Sequence, residues 1–541
     1  MGLLTWDGIR SRPMIRRLVP AALLVLAACG GGDSGSSETE PSTTVAETTV
    51  APPTSDVPSP TTEAPYEPTP PSLTDVATAT IEGPITGGLG QVVLGVSPFD
   101  VATWDYIETE YFVRGTASSF ASDTELSIDG EWTVTPYDTA DFATRIVVRS
   151  PKDANDFDGT VIVEWLNVTA GLDVSPSFDL AKNEILRSGM VWIGVSAQRV
   201  GVEGGGNPTG APRVLKIADP ERYGSLNHPG DDYSYDMFSQ IGALVWNEST
   251  TLLGGLVPER VIAAGESQSA FRLTSYINAL APIHDVFSGY LVHSRGARGA
   301  DLLTEPRPSV PGPQVAQIRA IERPVLVFSA ETDVVGQGLV YRRAEQPDSD
   351  TFRSWEVAGT AHADAYSLGI SETDVGDGGG DDELFAAMLD APTAVYFGII
   401  TCERPINAGP HTYVLRAAVR ALDTWIRTGV APPATPKLEN DAELTGYALD
   451  ANGNALGGIR TPHVDVPVAA LSGLGQSGGS FCGLFGTTTS FNDEQLAGLY
   501  DDKADFQTKW DAAVDSAVAS GAILPEDADA VKASAAGYPL P

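Results

Sequence analysis

Val261-Ile262-Ala263-Ala264-Gly265-Glu266-Ser267-Gln268-Ser269-Ala270-Phe271-Arg272-Leu273 constrains this chain more than any other stretch. An apolar run ends in Gly-x-Ser-x-Ser and passes without a spacer into a helix-compatible segment. A strand that turns straight into a helix leaves its middle residue on a strained corner. The flanking positions must be small, because strand and helix pass close together there. Gly265 and Ser269 meet that need. The helix behind Ser267 presents unpaired backbone N–H groups, which favour negative charge. Gly475-Gln476-Ser477-Gly478-Gly479 fits a stricter Gly-x-Ser-x-Gly pattern, but it lies in a Gly/Ser-rich loop with no strand before it and no helix after it. Context selects Ser267 over Ser477.

The same strand-to-helix alternation repeats around this corner. Residues 160–165, 191–196, 261–264, 289–293, 324–329 and 352–357 read as buried strands. Residues 178–188, 235–253 and 413–427 read as helices, the last one amphipathic. Such alternation predicts an α/β fold with a mostly parallel sheet and a ligand site at the carboxyl ends of the strands. Residues 76–150 read instead as antiparallel hairpins, with 110–115 and 132–136 alternating in period two. Beyond 440, residues 445–449 and 450–454 suggest a small hairpin, and the last fifty residues two or three helices. No second linker and no internal repeat interrupts 76–541, which reads as one elaborated domain: a core of about 155–430 and an extension of about 440–541.

A serine hydroxyl is a weak nucleophile and needs a base, which a carboxylate must orient. Where the serine sits on such a corner, the acid follows it in the chain and the histidine comes last. The phrase 324–335 places Asp333 just after a strand, at the acid's position. Glu331 is the alternative, two residues back on the same side of an extended segment. Of the six histidines, His362 stands directly after the last strand in Ala358-Gly359-Thr360-Ala361-His362-Ala363-Asp364. His411 opens the closing helix and reads as a cap or core residue, and His463 lies in a loop of the extension. Oxyanion donors are expected from the backbone N–H of Gln268 and from Leu166-Asn167-Val168, through Val168 N–H or the Asn167 side chain. His293, Arg295 and Arg460 are candidates for substrate binding, an arginine fork being suited to a carboxylate; the alternative is pairing with structural carboxylates. Residues 294–323 are too few for an inserted lid, so cover for the site must come from 198–234, 363–410 or the extension.

The N-terminus carries Arg16-Arg17, an apolar run over 18–28, and Leu26-Ala27-Ala28-Cys29-Gly30. That is the form of a secretory signal, too short to span a bilayer. Leu-Ala-Ala-Cys resembles the bacterial lipobox, so Cys29 is expected to be lipidated after removal of 1–28. Residues 1–13 fit a signal poorly, and Met14 is an alternative start to Met1. Residues 29–75, rich in Ser, Thr, Pro and Glu, predict a disordered tether. Cys402 and Cys482 then remain as a pair in an oxidising compartment, where a disulfide is expected over two free thiols. A net charge of −38 argues against nucleic acid and against adsorption to anionic lipid. The acidic loop Asp374, Asp377, Asp381, Asp382, Glu383 lacks the ordered spacing of a calcium loop and reads as solvated. No zinc-type Cys/His cluster and no phosphate loop is present in the sequence, so no cofactor and no metal is expected. Nothing in it bears on oligomeric state.

Taken together, 110–117, Val163-Glu164-Trp165-Leu166-Asn167-Val168, 265–269, Glu331-Thr332-Asp333-Val334, 359–364, 416–423 and Gly457-Gly458-Ile459-Arg460-Thr461-Pro462 resemble the bacterial family of secreted or lipidated alpha/beta hydrolase domain-containing proteins. The resemblance runs from about residue 77 to the C-terminus. It implies an α/β-hydrolase fold with an N-terminal β-hairpin elaboration and a C-terminal helical extension. It further implies a serine hydrolase tethered to the outer face of the cell membrane and acting on a small-molecule carboxylic ester. Cleavage of an amide, lactone or peptide bond by the same three residues is the alternative, as is a binding protein on a hydrolase scaffold.

Overall fold

The computed structural model describes residues 69–540, save 96–98, 206–213, 305–308, 337, 372, 377–380, 397–399, 480 and 539. Cys29, the signal segment and nearly all of the proposed tether therefore lie outside the described residues, as does Asp377.

Nine strands form one sheet: β1 (Thr80–Glu82), β2 (Tyr106–Ala121), β3 (Thr135–Pro151), β4 (Thr160–Trp165), β5 (Val191–Val195), β6 (Arg260–Glu266), β7 (Gly289–His293), β8 (Val325–Ala330) and β9 (Phe352–Val357). Their order is β1-β2-β3-β5-β4-β6-β7-β8-β9. The six from β5 to β9 run parallel, and β1 to β3 add an antiparallel edge. Every residue of β4, β5, β6, β7 and β8 is buried, which is why these segments read as apolar runs without alternation. Side chains still alternate between two cores. Ile162, Ile262, Leu291 and Leu326 enter one, and Val161, Val163, Val261 and Val327 the other.

The first core is covered by α1 (Pro176–Arg187) and α4 (His411–Thr428). The second is covered by α2 (Ser234–Asn247) and α3 (Gln268–Ala279). On that side Trp165 packs on Phe238 with ring centroids 4.9 Å apart, and Phe238 meets Tyr276 and Phe287. The extension adds its helices α5 (Lys503–Ala519) and α6 (Pro525–Ser534) to the α4 side. There Asp527 of α6 takes Arg187 and Arg416, while Glu184 takes Arg420.

Three local expectations are corrected. Residues 132–134 are not strand: the Trp132 indole donates to Ser127 O at 2.7 Å, and β3 begins only at Thr135. The helix expected over 235–253 breaks after Asn247 and resumes as the short turn Ser249–Leu252. Residues 445–454 form isolated bridges instead of a regular hairpin, because Asp450 Oδ1 takes the backbone N–H of both Asn452 and Asn454. Cys402 and Cys482 are joined in a disulfide, S–S 2.05 Å. Among the described residues no helix is long and apolar enough to cross a membrane.

Candidate active site

The register of the parallel strands aligns Trp165 with Gly265, Glu266 with His293, His293 with Phe328 and Ala330 with Val357. Their carboxyl ends are therefore level, and the site is assembled from the turns that leave them. Ser267 leaves β6 at φ 55°, ψ −118°, a conformation that costs a non-glycine residue roughly 1–3 kcal/mol. Neighbours enforce it: Ser267 N donates to His293 O at 3.0 Å, and Phe271 N to Ser267 O. A Cβ on Gly265 would lie 3.0 Å from the backbone oxygen of Ser269, so a larger residue there would have to push the helix backbone away from the strand. Ser269 is fully buried and its hydroxyl donates to Leu166 O at 3.2 Å, which gives a serine there a satisfied place.

Ser267 Oγ lies 2.8 Å from His362 Nε2, and His362 Nδ1 lies 2.6 Å from Asp333 Oδ1. All three residues are buried. Asp333 is held in turn, its Oδ2 accepting from Ala330 N at 2.7 Å. An acid that only accepts fixes the proton of His362 on Nδ1, so Nε2 offers its lone pair to the serine hydroxyl. Burial opposes a charged imidazole here, but the Asp333 and Glu266 carboxylates outweigh it and hold His362 above the usual histidine range.

The remaining predicted residues divide sharply. The N–H groups of Gln268 and Val168 carry no hydrogen bond among the described residues, and Gln268 is the first residue of α3. Glu331 is not on His362: its two oxygens accept from Gly359 N at 2.6 Å and Gly473 N at 2.7 Å. The Asn167 side chain is not free for an oxyanion either, since Nδ2 donates to Glu266 O and Glu266 Oε2. His293 is sealed beneath the site. Its Nε2 meets His411 Nε2 at 2.8 Å, and His411 Nδ1 donates to Ala361 O. That donation makes His411 Nε2 the acceptor, so His293 donates to it and receives Ser177 Oγ–H at Nδ1. Arg295 is buried and spends its fork on the carbonyls of Gly296, Ala297 and Ala316. Arg460 pairs with Asp450 and Asp465. None of these last three side chains is free for a substrate, because each already spends its hydrogen bonds on other protein groups.

Two residues escaped the sequence reading. Glu266, between Gly265 and Ser267, puts Oε1 3.2 Å from His362 Nε2, and burial pushes its carboxyl up to about 7. Glu164 in β4 accepts from Ser177 N, Phe178 N and the Trp192 indole, and so caps α1 from inside the core. The signal for both was an acid inside a run that must be buried on two faces. A narrow cleft of about 50 Å³ opens onto the site, lined by Asn167, Glu266 and His362 with Val174, Leu180 and Leu368. Its wall therefore comes from α1 and from the start of the 363–410 segment. Among the described residues no group of three or more His, Cys, Asp or Glu could hold a metal ion. Asp374 of the acidic loop is tied to Asn183, Tyr366 and Arg416.

A sheet of this order, with a serine on a strand-to-helix corner and an acid and a histidine after two later strands, defines the alpha/beta hydrolases. The chain belongs to the alpha/beta hydrolase domain family, whose model matches residues 81–533. No curated protein sequence matches the chain. Solved structures similar to it include a thermostable esterase from Pseudomonas putida, 13% identical, covering 51% of this chain and 80% of that one at a TM-score of 0.30. Another is a serine hydrolase without a lid from Xanthomonas campestris, 13% identical, 41% and 80% covered, TM-score 0.25. A third is an alpha-beta serine hydrolase homologue from Coxiella burnetii, 12% identical, 41% and 84% covered, TM-score 0.24.

Proposed function

We propose that this protein is a serine hydrolase that cleaves carboxylic esters through an acyl-enzyme on Ser267. The continuous hydrogen-bonded run Ser267–His362–Asp333, with the serine at the N-terminus of α3, carries this reading. His362 Nε2 takes the hydroxyl proton as Ser267 Oγ attacks the acyl carbon. Asp333 keeps the imidazole in the productive tautomer and offsets its charge. The N–H groups of Gln268 and Val168 supply the donors for the oxyanion. The same proton then passes from Nε2 to the departing alkoxide. Water, deprotonated by His362, releases the acid and restores Ser267.

An ester is the favoured acyl donor because its carbonyl is more electrophilic than an amide's and an alkoxide is the better leaving group. The narrow cleft beside His362 makes p-nitrophenyl acetate, an activated ester with a small acyl group, the first ester to try. Residues 16–29 support placing the protein on the outer face of the cell membrane by a lipid on Cys29, and a Cys402–Cys482 disulfide suits an oxidising compartment.

Treating the purified chain with a fluorophosphonate, followed by intact mass and peptide mapping, tests the reading. One adduct on Ser267, absent in His362→Ala, is the expected result. Folded wild-type protein that takes no adduct would sink it.

A further inference from the structure

Glu266 stands beside the reacting atoms with no part in the steps above. Its side chain is 8% exposed, and Asn167 Nδ2 holds Oε2 at 3.0 Å. That leaves Oε1 aimed at His362 Nε2, 3.2 Å away. Ser267 Oγ lies 2.8 Å from the same nitrogen. Two oxygens thus converge on the one ring atom that receives the serine proton.

The protonation states of this contact are few. With His362 neutral, its Nδ1–H points to Asp333, so Nε2 carries a lone pair. An ionised Glu266 oxygen facing that lone pair is repelled. The contact becomes attractive in two states only: a protonated carboxyl donating to Nε2, or an imidazolium donating Nε2–H to the carboxylate. Burial favours the first, and the charge of the imidazolium favours the second. The other charged or titratable groups around the pair are Asp333 on the far side of the ring, and Asp179 of α1, which lines the same cleft. His293 and His411 lie beneath it, and burial keeps both neutral. Among the described residues no lysine or arginine forms an ion pair with Glu266.

We propose that Glu266 is a further catalytic residue of this site, resting on the serine-hydrolase reading above: its carboxylate accepts the Nε2–H of the imidazolium formed when His362 takes the Ser267 proton. In that step the Ser267 O–H bond breaks and the Nε2–H bond forms. The Oγ–C bond forms as the carbonyl π pair moves to the oxyanion. The proton leaves Nε2 for the alkoxide in the next step, so Glu266 gains and loses no proton over the cycle. The imidazolium sits between two carboxylates, which makes Nε2 a stronger base. In acid, one proton bound to the pair blocks Nε2 whichever partner holds it, so the two groups titrate as a unit.

Hydrolysis of p-nitrophenyl acetate by the full chain from pH 5 to 10 tests this. Glu266→Gln should move the acid limb of kcat/KM about one pH unit lower and reduce plateau kcat roughly tenfold, with KM little changed. Glu266→Asp, which keeps the charge, should recover most of the wild-type limb. Profiles of both variants that superpose on wild type, or that change alike, would overturn the proposal. Were Glu266→Gln not to fold, wild type alone decides. Its acid limb should steepen from one proton to two on descending, and unit slope throughout overturns the idea. Fluorophosphonate labelling of Ser267 in wild type is run alongside. Its absence would bring down the Ser267 reading itself, whereas labelling with unchanged pH profiles brings down only the role of Glu266.

Discussion

At the residue scale, the chain resolves two carboxylates that the sequence leaves as rivals. Glu331 and Asp333 share a side only if the segment after β8 stays extended. It does not: residues Glu331–Val335 make a helical turn, in which two residues are about 200° apart. Asp333 accordingly meets His362, while Glu331 turns to the backbone of Gly359 and Gly473. Opposite outcomes are expected from the two amides. Asp333→Asn should cost on the order of 10⁴ in kcat on p-nitrophenyl acetate while leaving the fold intact, because an amide supports the wrong tautomer. Glu331→Gln should destabilise by about 1–3 kcal/mol, since its NH₂ would face one of two buried N–H donors. A thermal melt and a kcat measurement on each variant separate the two roles.

At the element scale, the extension braces the histidine loop. Ala358 N donates to Ile459 O, and Ile459 N to Glu356 O, so the loop is held where it leaves β9. Leu484, in the turn Cys482–Leu484, accepts from Ala363 N next to His362. The disulfide ties that turn to Cys402 across a sequence separation of 80. A closed loop of that size stabilises by about 4.5 kcal/mol on the chain-entropy view. The double variant Cys402→Ser, Cys482→Ser should therefore melt well below wild type and lose activity at temperatures where wild type keeps it. Equal melting curves for the two proteins would show that the brace contributes nothing.

At the scale of the whole molecule, buried ionisable groups set the pH response of stability. Burial raises Glu164 to about 8 and Glu266, Glu331 and Asp364 to about 7. A carboxyl whose folded value lies above its unfolded one binds a proton more readily in the native state. Stability therefore falls as pH rises between the two values. His362, raised above the unfolded value, acts in the same direction, its contribution being lost as pH rises through its folded value. His228, His284, His293, His411 and His463 are lowered by burial, so below about 6.5 the unfolded state takes protons that the native state refuses. The two effects oppose one another in acid; above it the carboxyls and His362 lower stability as pH rises, and Lys182, brought down by burial to about 8, works against that loss only from about that pH upward. Self-repulsion at a net charge of −38 adds to the alkaline loss. The melting temperature is expected to peak near pH 6–6.5 and to decline steadily to pH 8.5. A peak above pH 8 in a melting series would contradict this assignment of buried protons.

The sequence by itself determined what depends on neighbours along the chain. Buried parallel strands are legible because both faces are covered, and the corner at Ser267 because only small residues let a strand turn into a helix there. The order of serine, acid and histidine follows from which strand each one leaves. Tertiary structure alone decided where polar side chains spend their hydrogen bonds. In one dimension His293, Arg295 and Arg460 look available, yet Ser177 and His411, 116 and 118 residues away, claim His293, the Ala316 carbonyl helps to claim Arg295, and Asp450 and Asp465 claim Arg460. Glu266 looks like a strand end, and becomes a neighbour of His362 only when β6 and the turn after β9 are brought side by side. Hydrogen bonds between segments far apart in sequence leave no local pattern, and these decide which buried polar groups face the reacting atoms.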